Sequence, residues 1–230
     1  MKSWVDFYEK RAVTFNSPEE IGCHYLDNEK ISSDFSFLEE SRIKELLNPE
    51  PHAEVYDLGC GAGYSSTLLS KSFSSVKGLD AGENIIRSAC SLNQNIEFKR
   101  DDITELKTIK DQSINYALLY GVIYNMGPFS SVKSMSQKLS QKCCKGARVL
   151  ISKIPNKYFY AEYQDYRKEK KEGRTYTDDS NLKHQLEWLW FFPDDIRELF
   201  GADFDIINIL ANPSTSFPLK AWFDALLVRK

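Results

Sequence analysis

A glycine-rich loop between a predicted strand and a predicted helix is the part of the sequence best suited to bind a ligand. Its glycines, Gly59, Gly61 and Gly63, follow the acidic residue Asp57. Glycine lets the backbone turn tightly and lets a ligand approach without a Cβ in the way. The dinucleotide fingerprint Gly-x-Gly-x-x-Gly places its third glycine one residue later, where this chain has Tyr64. The loop therefore favours a ligand other than a pyrophosphate, and Asp57 could hold an ammonium group.

Carboxylates also follow the next two predicted strands. Asp80 ends the second strand, where a carboxylate can accept both hydroxyls of a ribose. Asp101 and Asp102 follow the third strand, where an acid is placed to receive the exocyclic amine of an adenine. The apolar Ile103 could pack on the adenine ring, which favours Asp102 over Asp101. Because open α/β sheets bind ligands at the carboxyl ends of their strands, we expect the loop and these acids at one edge.

Strands and helices alternate from residue 53 onward, which is the pattern of a parallel sheet with helices on both faces. Short apolar runs predict the strands, and apolar residues at helical spacing predict the helices. We predict strands at 53–58, 76–80, 96–99, 113–120, 147–152, 204–210 and 222–228, and helices at 33–47, 62–72, 83–92, 130–142 and 193–200. The sequence therefore predicts an α/β fold.

These features resemble those of the class I S-adenosylmethionine-dependent methyltransferase family over residues 35–154 and 190–230. The loop that begins at Asp57 looks like the glycine-rich motif of that family. Asp80 matches its ribose-binding acid, and Asp102 with the next residue matches its adenine-contacting pair. The family pattern is also followed by the segments 114–120, 145–150, 192–196, 204–206 and 223–228.

The resemblance implies S-adenosylmethionine as the cofactor and a Rossmann-like, doubly wound sheet of seven strands, the last of them antiparallel. The cofactor-binding residues that it implies are Asp57, Gly59, Cys60, Gly61, Gly63, Asp80, Ala81, Asp102 and Ile103. The chain departs from the family at Asn115, where the family usually has an acid. Because that acid is generally structural, cofactor binding is still expected.

Three tyrosine and arginine residues outside the loop and its acids could complete the cofactor site. Family members with such an N-terminal segment often fold it over the cofactor, so Tyr8 or Arg11 could reach the methionine carboxylate. A surface helix with a buried aromatic residue is the alternative for both. Tyr120 follows the fourth strand, where the family places groups beside the transferring methyl, but it could equally be a core aromatic.

No residue stands out as an obligatory catalyst. Tyr124 follows the fourth strand and is one candidate, with Asn125 beside it. His24 and His184 are the others, because histidine titrates near neutral pH and could serve as a general base. A packed or exposed histidine is the plainer interpretation of each.

The chain is interpreted as one methyltransferase domain in four parts. Residues 1–50 form an N-terminal helical cap, 51–154 the cofactor-binding core, 155–192 an inserted lid, and 193–230 a C-terminal helix with strands. The inserted lid is rich in aromatic residues: Tyr158, Phe159, Tyr160, Tyr163, Tyr166, Tyr176, Trp188, Trp190, Phe191 and Phe192. Aromatic walls suit an apolar or cationic acceptor, and the same residues could form the core of the lid.

Composition narrows the partners and the compartment. The net charge is −3 and the sequence pI is about 5.7, whereas a duplex-binding domain usually has a basic patch, so no nucleic-acid partner is expected. The five cysteines include no Cys-x-x-Cys pair or Cys/His cluster, which predicts neither disulfides nor a metal site. A reducing compartment fits best. Without a signal-peptide pattern or an apolar run of about 20 residues, the protein is expected in the cytoplasm.

The sequence as a whole predicts an enzyme that passes a methyl group to a small-molecule acceptor, such as a metabolite, a lipid or a sugar precursor, by in-line displacement. Two alternatives stay open at this point: a methyltransferase for a protein or RNA, and a non-catalytic S-adenosylmethionine-binding protein of the same fold. A nicotinamide enzyme is disfavoured by the glycine spacing.

Overall fold

The computed structural model describes residues 3–22, 25–26, 29–30, 33–172, 188–214 and 219–230. Two short strands pair in an antiparallel two-stranded sheet, and seven longer strands form a second sheet. The strands are β1 (Tyr25–Leu26), β2 (Glu29–Lys30), β3 (Glu54–Leu58), β4 (Ser75–Asp80), β5 (Glu97–Arg100), β6 (Ile114–Tyr120), β7 (Cys143–Pro155), β8 (Phe204–Ala211) and β9 (Trp222–Arg229). The large sheet has the order β5-β4-β3-β6-β7-β9-β8.

The large sheet is mixed. Strands β3 to β7 pair in parallel, whereas β9, the last strand of the chain, is antiparallel to both β7 and β8. This arrangement confirms the predicted doubly wound sheet of seven strands with an antiparallel last strand. Strand β7 is longer than the predicted segment 147–152, because Cys143 already pairs with Ile114 of β6 and Pro155 still pairs with Trp222 of β9.

Helices flank the large sheet and precede it. They are α1 (Trp4–Thr14), α2 (Pro18–Ile21), α3 (Ser33–Leu47), α4 (Tyr64–Leu69), α5 (Glu83–Leu92), α6 (Phe129–Lys142), α7 (Tyr160–Glu172) and α8 (Pro193–Phe200). Helices α3, α5 and α8 have the predicted bounds. Helix α4 is shorter than the predicted 62–72, since its N-cap residue Gly63 is in the left-handed region with φ 92°.

Local sequence signals explain several of the helix starts. Helix α1 begins with a capping box, in which the Ser3 hydroxyl accepts from Asp6 N–H and the Asp6 carboxylate accepts from Ser3 N–H. Helix α8 has a proline in its first turn, and the Asp195 carboxylate accepts from Phe192 N–H at 2.7 Å. These contacts satisfy N–H groups that have no partner inside the helix.

The core lies on both faces of the large sheet. The neighbouring residues Leu118 and Leu119 of β6 are fully buried in two different clusters, because successive side chains of a strand point to opposite faces. Leu118 packs in a cluster with Leu47 of α3, and Leu119 packs in one with Phe200 of α8. The sheet therefore forms a rigid support whose parallel strands end together at one edge.

The described ranges contain neither of two features that would point to another kind of protein or site. None of their helices combines the length and apolar character that crossing a membrane demands. No group of three or more His, Cys, Asp or Glu side chains in those ranges could hold a metal ion.

Candidate functional site

The glycine loop lies at the carboxyl end of β3, the strand that pairs with both β4 and β6. Its backbone is left-handed at Gly59, Gly61 and Gly63, with φ of 79°, 53° and 92°. A Cβ added at Gly61 would meet no atom within 4 Å. A larger residue at position 61 would therefore not clash with the rest of the protein, so packing is not what requires glycine here. The left-handed backbone does, and the open space lets a ligand lie against the loop.

Asp57 lies at the base of this loop and is fully buried. Its Oδ2 atom accepts from the hydroxyls of Ser65 at 2.8 Å and Ser66 at 2.6 Å. Its Oδ1 atom is buried and has no hydrogen-bond partner among the described residues. Burial raises the pKa of Asp57 to about 6, although the two serine hydroxyls oppose this shift. A buried acceptor without a partner is costly, so a bound cationic donor would be favourable here.

Asp80 connects the glycine loop to the start of α5. Its Oδ2 accepts from Gly61 N–H at 3.0 Å, and its Oδ1 accepts from Gly82 N–H at 3.1 Å. Burial raises the pKa of Asp80, and the N–H groups of Gly82 and Gly61 oppose that shift. An ionised carboxylate has about four lone-pair sites. Backbone N–H groups, including those of Gly61 and Gly82, use some of them, and no side chain of the described residues is seen to donate to the rest.

The two acids after β5 have different surroundings. Asp101 is buried and accepts from the N–H groups of Lys107 and Thr108 and from the Thr108 hydroxyl, at 3.2, 2.7 and 2.7 Å. Asp102 is exposed, and its Oδ1 accepts from the backbone N–H and hydroxyl of Thr104. Asp101 thus shapes the loop after β5, which leaves Asp102 the better placed of the two to meet a ligand.

A cavity of about 360 Å³ lies beside these acids. It is lined by Ala81, Arg100, Asp101, Asp102, Glu105 and Lys107. Ala81 follows Asp80 directly, so the cavity adjoins the end of β4 as the ribose and adenine assignments require. Ile103 is partly buried against the main core and is not one of the lining residues.

Tyr120 ends β6 at the same edge of the sheet and is buried. The centroid of its ring lies 6.0 Å from the ring centroid of Tyr64 and 4.4 Å from the Nζ atom of Lys153. Lys153 Nζ also pairs with a carboxylate oxygen of Glu39 on α3 at 3.2 Å. Burial raises the pKa of Glu39, and the charge of Lys153 opposes that shift. Tyr120 was predicted from the sequence, whereas its charged neighbours Lys153 and Glu39 were not.

A second ion pair extends this charged cluster. Asp224 of β9 accepts from the Ser152 hydroxyl at 2.8 Å, from Lys153 N–H at 3.1 Å and from Arg42 Nε at 2.6 Å. Lys153 has a left-handed backbone, with φ 58°, at an irregularity in the pairing of β7 and β9. Such irregularities re-aim side chains, and here Lys153 is directed toward α3. These contacts fix α3 against the carboxyl ends of β6 and β7.

Aromatic rings from distant parts of the chain meet near the end of β6. We call them the aromatic cluster: Trp4, Tyr124, Tyr163, Trp188, Trp190 and Trp222. The Trp188 ring lies 4.9 Å from Tyr124, 5.6 Å from Trp222 and 6.4 Å from Trp4. Leu189 N–H also donates to the Tyr124 carbonyl at 3.0 Å. The candidate Tyr124 therefore belongs to this cluster, whereas His24 and His184 lie outside the described residues.

The two N-terminal candidates have mainly structural surroundings. The Arg11 guanidinium is buried, lies over the Phe15 ring at 4.4 Å and donates to the carbonyls of Ile21, at 3.0 Å, and Glu20. These contacts hold α2 and favour the structural alternative for Arg11. The Tyr8 ring stacks on the Trp4 ring at 6.1 Å. Tyr8 also packs against a small apolar cluster that contains Ala62 of the glycine loop and Ile85 of α5.

Glu9, between these two candidates, makes the contact that the sequence reasoning missed. Its carboxylate accepts from the backbone N–H of Asn84 at 2.9 Å and from the Asn84 side chain at 2.7 Å. Helix α5 begins at Glu83, three residues after Asp80, so the Glu9 carboxylate brings α1 to the cofactor side of the edge. A signal for this contact was present at the N-cap of α5. Gly82 has no side chain with which to cap the helix, so another residue has to supply the cap.

Comparisons with known proteins agree with this architecture. The sequence profile of a family described as a methyltransferase domain matches residues 49–200. None of the curated proteins compared with the sequence matches it.

Solved structures show the same fold at low sequence identity. A SAM-dependent methyltransferase from Anabaena variabilis has a TM-score of 0.66 and 17% identity, over 99% of this chain and 93% of that one. An amino pentose methyltransferase from Micromonospora echinaspora, solved with bound SAM, has a TM-score of 0.62 and 12% identity over 91% and 96%. Magnesium protoporphyrin IX methyltransferase from Synechocystis, with bound SAH, has a TM-score of 0.61 and 16% identity over 88% and 90%.

The family profile covers more than half of the chain, and the strand order is that of these structures. The buried Asp57 oxygen without a partner, the open side of Gly61 and the cavity beside Ala81 all fit an adenosyl ligand with an ammonium group. The chain belongs to the class I S-adenosylmethionine-dependent methyltransferases, and S-adenosylmethionine is its cofactor.

Proposed function

We propose that the protein methylates a small-molecule acceptor at the carboxyl edge of the sheet, between the glycine loop and the aromatic cluster. The observation that carries this proposal is the aromatic cluster itself, which joins α1, the end of β6, α7 and β9 around Trp188. Flat apolar walls next to a few polar groups are typical of small-molecule sites. The acidic pI of about 5.7 disfavours an RNA acceptor.

Two of the similar structures are named as methyltransferases of small molecules, one of an amino pentose and one of magnesium protoporphyrin IX. They support the class of acceptor. The aromatic cluster supports recognition of an apolar or cationic group on the acceptor, since aromatic faces attract both.

The cofactor would be held by the edge residues already described. When bound, S-adenosylmethionine supplies the methyl group on its sulfonium sulfur. Asp57 would attract the ammonium group, Asp80 would accept the ribose hydroxyls, and Asp102 would accept the adenine amine. The loop from Gly59 to Gly63, including Cys60, would pass along the ligand, with Ala81 and Ile103 beside the adenosine and Tyr120 at the methyl end.

The chain's contribution to methyl transfer is mainly orientation. Holding two reactants in a reactive geometry can lower a barrier by about 7–11 kcal/mol, so an obligatory catalytic side chain is not required. The Tyr124 hydroxyl lies near the end of β6, 3.4 Å from the position that a Cβ on Gly121 would take. Tyr124, His24 and His184 remain our candidates for contacting the acceptor, with either histidine as the base for a hydroxyl acceptor.

Residues 155–192 and 1–30 are proposed to close over the acceptor. Two described contacts support this division of the chain. The Trp4 ring of the N-terminal segment lies 6.4 Å from Trp188, and Phe191 N–H donates to the Pro155 carbonyl at 2.9 Å, which returns the insertion to the end of β7. Closure of such elements excludes water from the site.

The acceptor class can be tested directly with methyl-labelled S-adenosylmethionine. The protein would be incubated separately with ultrafiltered metabolites, with protein and with RNA. Label is expected in the metabolite pool alone, and Trp188→Ala is expected to lose this transfer while S-adenosylhomocysteine still binds within a few-fold of the wild type. Asp205→Ala, an exposed substitution on β8, is the matched control. Label found only in protein or RNA would refute a small-molecule acceptor.

A further inference from the structure

Helix α5 receives its N-terminal cap from a residue 75 positions earlier in the chain. Glu9 Oε1 accepts from Asn84 N–H at 2.9 Å and lies 3.4 Å from Ile85 N–H, and Glu9 Oε2 accepts from Asn84 Nδ2 at 2.7 Å. The N-cap residue Gly82 makes no side-chain cap. A carboxylate is the favoured partner for the N–H groups and dipole of a helix N-terminus. Helix α1 therefore supplies the N-terminal cap of α5.

The approach of the two helices is close. A Cβ on Gly82 would lie 2.3 Å from Ile85 Cδ1 and 2.4 Å from Glu9 Oε1, so any larger residue here would have to displace both side chains. One turn further along α5, the Ser88 hydroxyl donates to the Ala12 carbonyl at 3.0 Å. Helix α1 is therefore bonded to α5 at two points, through the Glu9 carboxylate and through the Ala12 carbonyl.

Gly82 also donates a hydrogen bond to Asp80, the proposed ribose-binding acid. Its N–H bonds to Asp80 Oδ1 at 3.1 Å, while the other oxygen of Asp80 holds Gly61 N–H at 3.0 Å. Asp80 and Glu9 thus bind N–H groups of one short segment, Asp80 that of Gly82 and Glu9 that of Asn84. A shift of α1 away from α5 would loosen Gly82, and with it one of the two bonds that orient the Asp80 carboxylate.

We propose that Glu9 is a positioning residue for S-adenosylmethionine, which makes α1 part of the cofactor site. It acts through the start of α5 on Asp80, and this inference rests on the proposed ribose role of Asp80. Because coupling between two equilibria is reciprocal, a bound cofactor also stabilises the docked position of α1. Helix α1 carries Trp4 of the aromatic cluster, so cofactor binding favours assembly of the acceptor side.

The first test measures the Kd of S-adenosylhomocysteine by titration calorimetry. Glu9→Ala is expected to weaken binding about 10-fold, within the roughly 5- to 150-fold range typical of coupled sites. Glu9→Gln keeps an acceptor oxygen for Asn84 N–H and should recover part of the loss. Glu45→Ala removes an exposed acid from α3 and should bind as the wild type does. Glu9→Ala with the affinity of the wild type would overturn the proposal.

A merely structural role for Glu9 would lower stability without coupling α1 to the ligand. Hydrogen exchange separates the two cases, because S-adenosylhomocysteine should slow exchange of the α1 amides in the wild type but not in Glu9→Ala. A double-mutant cycle with Asn84→Ala should show that the two losses in affinity are not additive. Additive losses, or equal protection of α1 in both proteins, would refute the coupling. Glu9→Gln serves for both measurements if the alanine variant does not fold.

Asp80→Ala, measured in parallel, distinguishes this inference from the function on which it rests. If Asp80→Ala binds as the wild type does, the ribose assignment fails and the route through Asp80 fails with it. If Asp80→Ala binds weakly while Glu9→Ala binds normally, the ribose assignment stands and only the role of Glu9 is refuted.

Discussion

The cofactor side and the acceptor side of this edge are built in different ways. On the cofactor side, Asp57 bonds to serines eight and nine residues later, and Asp80 bonds to Gly82 two residues later. On the acceptor side, the ring of Trp188 meets Trp4 and Trp222, which lie far from it in the sequence. The first is made of short polar contacts to the backbone and to hydroxyls, and the second of non-directional ring packing.

This difference has a consequence for specificity. Local polar contacts fix a few atoms to within hydrogen-bonding distance, as recognition of one unchanging ligand requires. Ring contacts tolerate changes of shape more easily, so the side that faces a variable acceptor can differ between family members without disturbing the cofactor. The two sides should therefore respond separately to substitution, with α1, through Glu9, as a link between them.

Removing the acceptor side should have the largest effect. Replacing residues 158–190 by a short linker is expected to abolish methyl transfer, because the segment carries Tyr163 and Trp188 and is far longer than a typical connection of about 2–6 residues. The affinity for S-adenosylhomocysteine should stay within a few-fold of the wild type. Calorimetry and labelled transfer measure the two effects. A folded, trimmed protein that no longer binds the ligand would assign the segment to the cofactor side.

Removing the proposed ribose acid should have the next largest effect. Asp80→Ala deletes an acceptor for two hydroxyls, and a hydrogen bond to a charged group is worth about 1.5–3 kcal/mol. We expect the Kd of S-adenosylhomocysteine to rise by about 100-fold, since about 1.4 kcal/mol corresponds to a factor of ten. Asp205→Ala removes an exposed acid from β8 and is the control. An unchanged Kd in a folded Asp80→Ala protein would show that the ribose lies elsewhere.

The cofactor side was largely predictable because its signals are local. The loop glycines follow a strand and precede a helix, and each acid lies at the end of a strand or directly after it, so the strand pattern alone places them at one edge. The sequence pattern also gave the bounds of α3, α5 and α8. It did not reveal that the Asp57 carboxylate is held by Ser65 and Ser66, although two hydroxyl residues at the start of a helix were a usable signal.

The links between distant segments could not be predicted in the same way. Glu9 lies in a short amphipathic stretch whose partner, Asn84, is 75 residues away, and no periodicity encodes such a pairing. The Glu39–Lys153 pair depends on the left-handed backbone of Lys153, which a sequence does not display. The aromatic richness of 155–192 indicated a lid or a pocket, but the choice of Trp188 as its central ring is a matter of tertiary packing.

The buried Asp57 should make stability depend on pH. Its folded pKa is about 6, above the usual 3.8, so the folded state holds the proton more tightly and gains stability at low pH. This gain is complete below about pH 4 and is lost as the pH rises through about 6. With about 1.36 kcal/mol per unit of pKa, the change is on the order of 3 kcal/mol. Denaturant unfolding of wild type and Asp57→Asn between pH 4 and 7 measures it.

The pH dependence of Asp57 should be visible in two measurements, the unfolding free energy and the binding of S-adenosylhomocysteine. The difference in unfolding free energy between the two proteins should change with pH, with the wild type losing stability relative to Asp57→Asn as the pH rises. The ammonium group of a bound ligand would reverse the preference, because it favours the ionised carboxylate. S-adenosylhomocysteine should therefore bind the wild type more weakly below about pH 6, and Asp57→Asn should not show this dependence. A pH-independent difference in both measurements would mean that Asp57 does not titrate in the buried site.

The smallest effect on cofactor binding should come from Arg11. Its guanidinium donates to the carbonyls of Glu20 and Ile21 and lies over the Phe15 ring, so its donors stabilise α2. Arg11→Ala should lower the free energy of unfolding by about 1–3 kcal/mol, the cost of leaving buried acceptors unsatisfied. It should change the Kd of S-adenosylhomocysteine less than about twofold, in contrast to Glu9→Ala two residues earlier. The opposite result, a weakened Kd at unchanged stability, would place Arg11 on the methionine carboxylate and bring α1 over the cofactor.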